Sequence, residues 1–372
     1  MHKEVNKPIF VVGSPRSGTS ILTWCLGQHP NLFPVPESDW MGDFAVTLAI
    51  GYQVGAARGI FSMLSAMGIS RDEFFSHIGT SINALVFKRR SDLDHTRLIA
   101  GVQRLLKKEG FYSGEVTGKL DADTNAAIRA YETLDRSTPI GLLGSELFDS
   151  LQTAALQSES KTRWVDQTPQ YSFHIYGLRK LFPDALFIHI VRDVTSVVRS
   201  MLNFHRIAGT HLVANEEEAY TYWVRSVRAC LKAEQAYGPS VILRLHYASL
   251  LDKPETAIRS LLDFVGEPYT AKCLEPLSQR INSSNVPADF TSQDPATDPV
   301  IIEEALRLSR DLQHSAQPAE ASAAAAAEME AAFAKRVQYM ATLDTQYRRA
   351  LQTIEKLKGT EAPGSAISLD VS

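Results

Sequence analysis

The chain of 372 residues carries 38 Lys and Arg against 42 Asp and Glu, which gives a formal net charge of −4. This balance provides no global basic field and argues against a nucleic-acid partner. Hydrophobic residues make up 44% of the chain and charged residues 22%, as in soluble globular proteins. No apolar run reaches the ~18 residues that a membrane span requires.

The three cysteines, Cys25, Cys230 and Cys273, are far apart and odd in number, so we expect neither a disulfide framework nor a metal cluster. The sequence MHKEVNKP at the start contains no apolar segment typical of a signal peptide. These features predict a cytoplasmic protein. The length allows two domains, or one large domain with an insertion.

The first predicted elements are a buried strand over Ile9–Val12, a glycine-containing loop and a helix that starts near Gly18. Gly13 and Gly18 have the spacing of a phosphate-binding P-loop. Thr19 stands where that motif has Lys, and Arg16 lies inside the loop, with a planar fork of donors for an oxyanion. The pattern predicts a phosphate or sulfate site that is not a Walker A motif; the alternative is an ordinary glycine turn.

The next predicted elements are mostly helical. Residues 29–40, HPNLFPVPESDW, contain three prolines and are predicted to form a rigid loop. Residues 41–93 are predicted to be helical, with Ser70 as the N-cap of an amphipathic helix.

Residues 94–155 are predicted to form a separate module of short helices around a glycine-rich loop. This segment resembles the peptidoglycan-binding-like domain. The matching positions are Gln103, Leu105, Leu106, Gly110, Gly118, Thr124 and Ala127, with Tyr131 and Glu132 where the pattern has an aromatic–Gln pair. The apolar members would be core positions in any such three-helix fold. The resemblance therefore implies the fold more strongly than it implies glycan binding.

The second half of the chain adds another candidate anion site. The apolar run ALFIHIV predicts a strand that ends in Arg192 and Asp193, and a helix with Ser200 follows. A third strand is predicted over Val241–Leu245. Ligands of open parallel sheets bind at the carboxyl ends of the strands, so Arg192 is expected there.

The motifs PRSGTS and Arg192–Asp193 with Ser200 resemble those of sulfotransferases that use 3′-phosphoadenosine 5′-phosphosulfate (PAPS), including the protein-tyrosine type. The resemblance covers about residues 8–92 and 160–290. It implies an α/β fold: a P-loop-like three-layer sandwich with a parallel sheet. It also implies that the 5′-phosphosulfate is held by Arg16, Ser17, Gly18, Thr19 and Ser20, and the 3′-phosphate by Arg192 and Ser200.

The same resemblance implies catalytic roles and no metal. Glu37 would accept the proton of a hydroxyl or amine acceptor, with His29 as the rival base. Gln167 stands where the family usually has Lys; it can donate hydrogen bonds but brings no charge. Ser283 and Ser284 are further candidates for contact with the cofactor.

Two alternatives to an active sulfotransferase remain at this point. A P-loop kinase or NTPase is disfavoured by Thr19 and by the lack of an obvious Walker B Asp. A catalytically impaired binding or scaffold protein is favoured by Gln167. The acceptor stays open among small-molecule, carrier-bound and glycan acceptors.

The last predicted elements are two helices separated by Pro318. The second, from about Ala319 to Lys358, is Ala-rich, and a 4-3 apolar spacing along it predicts either packing on its own domain or a homodimer. Five segments result: residues 1–93 and 156–298 as the two parts of the sulfotransferase domain, 94–155 as the inserted module, 299–358 as the helical extension and 359–372 as a disordered tail.

Overall fold

A computed structural model of the protein describes residues 7–89, 95–119, 121–132, 161–204, 211–278 and 294–360. Within these ranges the sheet has five parallel strands in the order β2-β3-β1-β4-β5. The strands are β1 (Ile9–Val12), β2 (Leu32–Pro34), β3 (Arg163–Asp166), β4 (Leu186–Val191) and β5 (Ile242–His246).

The helices of the described residues lie between and after these strands. They are α1 (Thr19–Gly27), α2 (Met41–Ala56), α3 (Met63–Ala66), α4 (Arg71–Arg89), α5 (His95–Lys108), α6 (Ala122–Glu132), α7 (Ile175–Leu181), α8 (Val194–Leu202), α9 (Glu216–Tyr237), α10 (Tyr247–Asp252), α11 (Pro254–Val265), α12 (Glu275–Ser278), α13 (Pro299–His314) and α14 (Ala323–Thr360). Short 3-10 helices occur at Gly59–Phe61, Pro169–Phe173 and Ala271–Leu274. None of these helices is both long and apolar enough to cross a bilayer.

The sheet is buried on both faces, which makes the architecture three-layered. Phe10 and Val12 of β1 point into a core that is shared with α2, α4, α7, α9 and α14. Ile9 and Val11 point into the opposite core, shared with α1 and α11. The alternation follows from the two-residue period of a strand. Because helices cover both faces, the central strand β1 is continuously apolar, as its sequence indicated.

Two strands occur where the sequence predicted none. The predicted proline loop contains β2, which lies at the edge of the sheet, where Pro34 removes no ladder hydrogen bond from a central strand. The other strand, β3, begins with Arg163 and ends with Asp166, both buried. The predicted third strand is shifted by one residue, to Ile242–His246.

The predicted helical boundaries are mostly confirmed. Ser70 caps α4, because its Oγ accepts from the backbone N–H of Glu73 at 3.2 Å. The first C-terminal helix is α13, and α14 begins at Ala323 rather than at Ala319. The predictions for residues 133–160, for Ser283 and Ser284, and for residues 361–372 lie outside the described residues.

The described part of the predicted module contains α5 and α6. Gln103 on α5 is fully buried and joins them: its Nε2 donates to Thr124 Oγ1 at 2.8 Å and its Oε1 accepts from the Gly118 N–H at 2.8 Å. Leu106 and Ala127 are buried, as core positions should be. The relation of this module to the peptidoglycan-binding-like domain stays a prediction.

A buried polar cluster connects the sheet to α9. His189 of β4 lies 2.6 Å from Glu234 through its Nδ1, and Arg244 of β5 forms an ion pair with the same carboxylate. Burial alone lowers the pKa of His189, but the neighbouring Cys230 and Glu234 outweigh it and raise the pKa to about 9. Burial opposes ionisation of Glu234, yet hydrogen bonds from His189 and Arg244 hold its pKa below the ordinary value.

Candidate active site

The loop between β1 and α1 follows a path that its glycines make possible. Gly13 has φ +152°, and a Cβ there would lie 2.5 Å from the carbonyl oxygen of Ile190 in β4. Gly18 has φ +103°, and a Cβ there would lie 2.5 Å from the ring of Tyr247. Both glycines are therefore required by close approach as well as by backbone conformation. Arg16 also has a positive φ, of 69°, at the tip of the loop.

The N-terminus of α1 has the features of an anion site. The first N–H groups of a helix have no partner within the helix, and the N-cap Gly18 has no side chain to satisfy them. No acidic residue lies in the first turn. Ser17 and Thr19 are buried here, and Ser20 is half-buried. The helix dipole and these donors together favour a bound oxyanion.

The loop is fixed from the opposite side by the segment after β3. Ser172 Oγ accepts from the Gly13 N–H at 2.9 Å and lies within hydrogen-bond distance of the carbonyl oxygens of Gly13 and Pro169. The 3-10 helix Pro169–Phe173 is thereby tied to the start of the loop. Ser172 was not predicted from the sequence, because the contact joins positions 159 residues apart.

The two predicted anion motifs meet in the structure. Arg16 Nε donates to Ser200 Oγ at 3.1 Å, and the Arg16 guanidinium lies 5.1 Å from the centre of the Phe204 ring. Arg192 Nη1 donates to the carbonyl oxygen of Arg16 at 3.2 Å. Residues from β1–α1 and from β4–α8 thus form one cationic, hydroxyl-containing site at the carboxyl ends of two adjacent strands.

The helix that carries Ser200 begins with a side-chain cap. Asp193 caps α8, since its side chain accepts from the Ser196 N–H at 2.8 Å, and Val194 is buried at the first helical position. The capping hydrogen bond defines the start of the helix.

Tyr247, the first residue of α10, lies in this site. Its ring is 4.7 Å from the Arg192 guanidinium and against Gly18. A cleft of about 410 Å³ opens beside it between the ends of β4 and β5 and α13, lined in part by Arg192, Ser196, His246 and Leu312. The stacking of a guanidinium on a phenol ring holds the cation at the mouth of the cleft. Arg244, by contrast, belongs to the buried polar cluster.

The loop that bears Glu37 is held by hydrogen bonds to residues at the end of β3 and just after it. The Ser38 N–H donates to Thr168 Oγ1 at 3.0 Å, and Ser38 Oγ donates to Asp166 Oδ2 at 2.6 Å. The hydroxyl of Tyr171 lies 2.5 Å from Ser38 Oγ and accepts from the Met41 N–H. Burial raises the pKa of Asp166 although these hydrogen bonds oppose the shift. Glu37 itself is exposed at the end of this anchored segment.

Tyr222 of α9 lies near the same loop. Its pKa is raised, first by burial, then by Asp39, with a smaller contribution from Glu37, while Arg225 opposes the shift. The ring packs edge-on against Phe173 with centroids 5.8 Å apart. An aromatic side chain on α9 therefore lies within electrostatic range of the carboxylate that the sequence proposed as general base.

Gln167 is 7% exposed, at the end of β3. Its Oε1 is buried and has no hydrogen-bond partner among the described residues. A buried amide oxygen without a partner is costly, so a ligand group at this position would relieve it. The side chain brings no charge, in agreement with the sequence.

His29 is structural rather than a rival base. It is buried, its Nε2 lies 3.0 Å from the carbonyl oxygen of Pro268, and its Nδ1 accepts from the Asn31 N–H at 3.1 Å. Both ring nitrogens are engaged in packing the end of α1.

Comparison with protein families decides the class of this chain. The sulfotransferase family profile matches residues 80–271, which is just over half of the chain. The chain belongs to the sulfotransferase family. The match includes Gln167, Arg192 and Ser200 but begins after the glycine loop, so the loop is assigned from its own geometry.

Individual relatives of this sulfotransferase are distant. A putative protein-tyrosine sulfotransferase of Caenorhabditis briggsae is 23% identical over 135 residues, 35% of this chain and 48% of the relative. A Mycobacterium bovis omega-hydroxy-beta-dihydromenaquinone-9 sulfotransferase is 30% identical over 107 residues, 27% of this chain and 28% of the relative. The chain spans about half the length, or less, of these curated relatives.

Solved structures that resemble the sulfotransferase include a sulfotransferase domain from the Synechococcus PCC 7002 olefin synthase, at 20% identity and a TM-score of 0.39 over 90% of this chain and 96% of that one. Sulfotransferase STF9 from Mycobacterium avium has 17% identity and a TM-score of 0.38 over 85% and 78% of the two chains.

Proposed function

We propose that this sulfotransferase moves the sulfuryl group of PAPS to a hydroxyl or amine acceptor. The observation that carries the proposal is the contact between the two anion motifs, in which Arg16 Nε donates to Ser200 Oγ and Arg192 donates to the carbonyl of Arg16. A nucleotide with separate 5′ and 3′ anionic groups requires two adjacent sites of this kind. Membership of the family supports sulfuryl transfer in general.

The donor set fits such a nucleotide. An uncapped helix N-terminus without acidic residues, two guanidinium groups and four hydroxyls suit phosphate and sulfate oxygens. We assign the 5′-phosphosulfate to Arg16 and to the backbone and side chains of residues 17–20, and the 3′-phosphate to Arg192 and Ser200. The cleft beside Tyr247 is of the size that small ligands occupy and would hold the nucleoside.

When bound, PAPS supplies an activated sulfuryl group for in-line displacement. The residues of the protein then position the reacting groups and neutralise the charge that develops on them. Arg16 stabilises negative charge beside the helix N-terminus, and Gln167 offers its amide to the transferring group. Glu37 accepts the proton of the acceptor, for which its anchored loop supplies a fixed position. A metal has no assigned role in this proposal, and no cluster of metal-ligating side chains occurs in the described ranges.

The acceptor is proposed as a class. The names of two relatives specify a protein tyrosine and an omega-hydroxy menaquinone as acceptors, and each of these compounds carries a hydroxyl group. Tyr222 lies within electrostatic range of Glu37 and contributes an aromatic side chain to its surroundings. A phenol or another hydroxyl compound, free or attached to a carrier or glycan, is therefore the first choice. A cytoplasmic location stays a prediction.

The proposal is tested by transfer of labelled sulfate from PAPS to a panel of phenols, alcohols, sugars and amines, with and without magnesium. We expect transfer to at least one hydroxyl class without added metal. Absence of transfer to every class, from protein that binds the nucleotide, would favour the second candidate function below.

That second candidate is a catalytically impaired sulfotransferase fold that acts as a binding or scaffold protein. Gln167 favours it, since the loss of a charged stabiliser of the transition state commonly costs ~2.7–4 kcal/mol in related sites. A P-loop kinase or NTPase is a weaker alternative, because Thr19 occupies the position of the Walker lysine. A preference for the 3′-phosphorylated nucleotide over ATP with magnesium separates both sulfotransferase candidates from the kinase or NTPase.

A further inference from the structure

One wall of the cleft beside Tyr247 is formed by α13, a helix of the C-terminal extension. Ser309, Leu312 and Gln313 of this helix line the cleft. The sulfotransferase family profile ends at residue 271, so α13 lies beyond the segment that the profile matches. Membership of the family therefore assigns no role to this wall.

The helix α13 is packed firmly on the domain. Ala305 and Leu312 are buried in a core that is shared with α8 and α9. The hydroxyl of Ser309 accepts from the Val194 N–H, at the first residue of α8, at 3.4 Å. The side chain of Asp298 caps the start of the helix. The wall is therefore a built part of the cleft, next to the end of β4.

The facing wall is formed by α10, directly after β5. Ala248 and Leu251 of this helix line the cleft, and Leu251 is 61% exposed although it is apolar. Aliphatic side chains from both walls, Leu312 and Leu251, thus border a volume of about 410 Å³. A space of this kind suits a flat ring, which places its faces against apolar side chains and its edge against polar groups.

The polar side chains of the cleft add hydrogen-bonding groups without adding charge. The amide of Gln313 and the ring of His246 have no hydrogen-bond partner among the described residues. Burial is the main cause that lowers the pKa of His246, with contributions from Arg244 and His189. Glu234 opposes the shift, but the ring is neutral at pH 7. The wall beyond the end of β4 is therefore uncharged, which suits a nucleobase better than a phosphate.

We infer that this cleft is the base pocket of the nucleotide site and that Gln313 of α13 selects adenine. The inference rests on the proposed function, in which Arg192 at the end of the same cleft holds the 3′-phosphate. Adenine presents the acceptor N7 beside the donor group at N6, and the amide of a Gln matches this pair with two hydrogen bonds. Guanine presents two acceptors, N7 and O6, at the same edge, so the amide oxygen would face a second acceptor.

Filling the cleft tests the assignment of the base pocket. Ala248→Trp introduces a large ring at an exposed position, so the fold should stay intact, which thermal unfolding without ligand checks. Calorimetric titration compares 3′-phosphoadenosine 5′-phosphate with a base-free methyl riboside that carries phosphates at the same two positions. We expect the variant to lose ~10-fold or more in affinity for the nucleotide, because the base loses its apolar contacts. Its affinity for the base-free ligand should equal that of the wild type.

Exchange of the base tests the role of Gln313. The wild-type chain should bind 3′-phosphoadenosine 5′-phosphate ~10-fold or more tightly than the guanine counterpart, as expected of one bidentate contact. Gln313→Ala should lose most of this preference. Gln352→Ala, which changes an exposed Gln on α14, is the matched control and should keep the preference.

The outcomes separate this inference from the proposed function on which it rests. Unchanged nucleotide affinity in Ala248→Trp, or a preference for adenine that is absent in the wild type or retained in Gln313→Ala, would overturn the inference alone. A wild-type chain that binds neither nucleotide nor the base-free ligand would overturn the proposed function, and the inference with it.

Discussion

At the scale of single residues, Arg192 is the most direct test of the nucleotide site. Its guanidinium lies between the carbonyl of Arg16 and the ring of Tyr247, at the mouth of the cleft. Arg192→Ala should weaken binding of 3′-phosphoadenosine 5′-phosphate (PAP) about 10- to 100-fold, since a hydrogen-bonded charge contributes ~1.5–3 kcal/mol. Calorimetric titration measures this. Arg259→Ala, an exposed arginine on α11, is the control, and equal affinities of both variants would remove Arg192 from the site.

Glu37 tests the assignment of the general base. Glu37→Gln keeps the size of the side chain but cannot accept a proton, so we expect turnover to fall ~10²-fold or more while PAP affinity is unchanged. Asp39→Asn, in the same loop, is the matched control. It should retain most activity, and Asn tolerates the positive φ of 60° at this position. Full activity of Glu37→Gln with loss in Asp39→Asn would transfer the role to Asp39.

Gln167 tests whether a missing charge limits the reaction. Gln167→Lys should raise the rate of labelled transfer, by up to ~10²-fold if the family lysine supplies the ~2.7 kcal/mol expected of such a group. Gln167→Met, of similar size and without charge, should not raise it. A rate that is unchanged in Gln167→Lys, with PAP affinity intact, would mean that Arg16 already supplies the necessary charge.

The sequence predicted the residues of this site better than their contacts. Arg16, Arg192 and Ser200 belong to local motifs whose spacing is visible in the chain. Tyr247 and Ser172 reach the site only through the order of the strands, which no local pattern contains. His29 looked like a possible base because the sequence does not show that the carbonyl of Pro268 occupies its ring nitrogen.

At the scale of elements, the buried cluster of His189, Glu234 and Arg244 joins β4, α9 and β5. The pKa of His189 is raised to about 9, so its contribution to stability is complete below its ordinary value of 6.5 and is lost as the pH rises through 9. The pKa of Glu234 is lowered, so its contribution is present above 4.5 and is lost as the pH falls. The cluster should therefore stabilise the fold most between about pH 5 and 6.5.

Glu234→Gln leaves two buried cations without their carboxylate. We expect it to lower the free energy of unfolding by ~3–5 kcal/mol at pH 6.5 and to reduce the loss of stability between pH 6.5 and 9. Urea unfolding at the two pH values measures both effects. Glu255→Gln removes an exposed ion pair with Arg259 and should cost no more than ~1 kcal/mol. Equal costs for the two variants would contradict the role of the cluster.

The residues of β2 and β3 explain why these two strands were not predicted from the sequence. A buried parallel strand is normally a run of apolar residues, but β3 has Arg163 at its first position. Two nitrogens of this buried guanidinium, Nε and Nη1, donate to the backbone carbonyls of Lys7 and Val265, so the strand is polar in sequence and still fits the sheet. β2 was not predicted because Pro34 argues against a strand. Proline is tolerated here because β2 lies at the edge of the sheet.

At the scale of the whole molecule, the three-layer parallel sheet was predicted from the resemblance of two motifs to sulfotransferases. The strand–loop–helix pattern at Ile9–Val12 and the apolar run of β4 predicted two strands, and the structure places them side by side in the sheet. The function of the inserted module and the segment limits stay predictions.

The measurement that tests the central claim most directly is thermal unfolding with PAP, AMP and ATP, each with and without magnesium. A ligand at 100 times its dissociation constant adds ~2.7 kcal/mol of stability, a clear shift of the transition. We predict that PAP stabilises the chain without metal and far more than AMP, because only PAP has a 3′-phosphate for Arg192 and Ser200. Stabilisation by ATP with magnesium, or by none of these nucleotides, would contradict the assignment of a PAPS-dependent sulfotransferase.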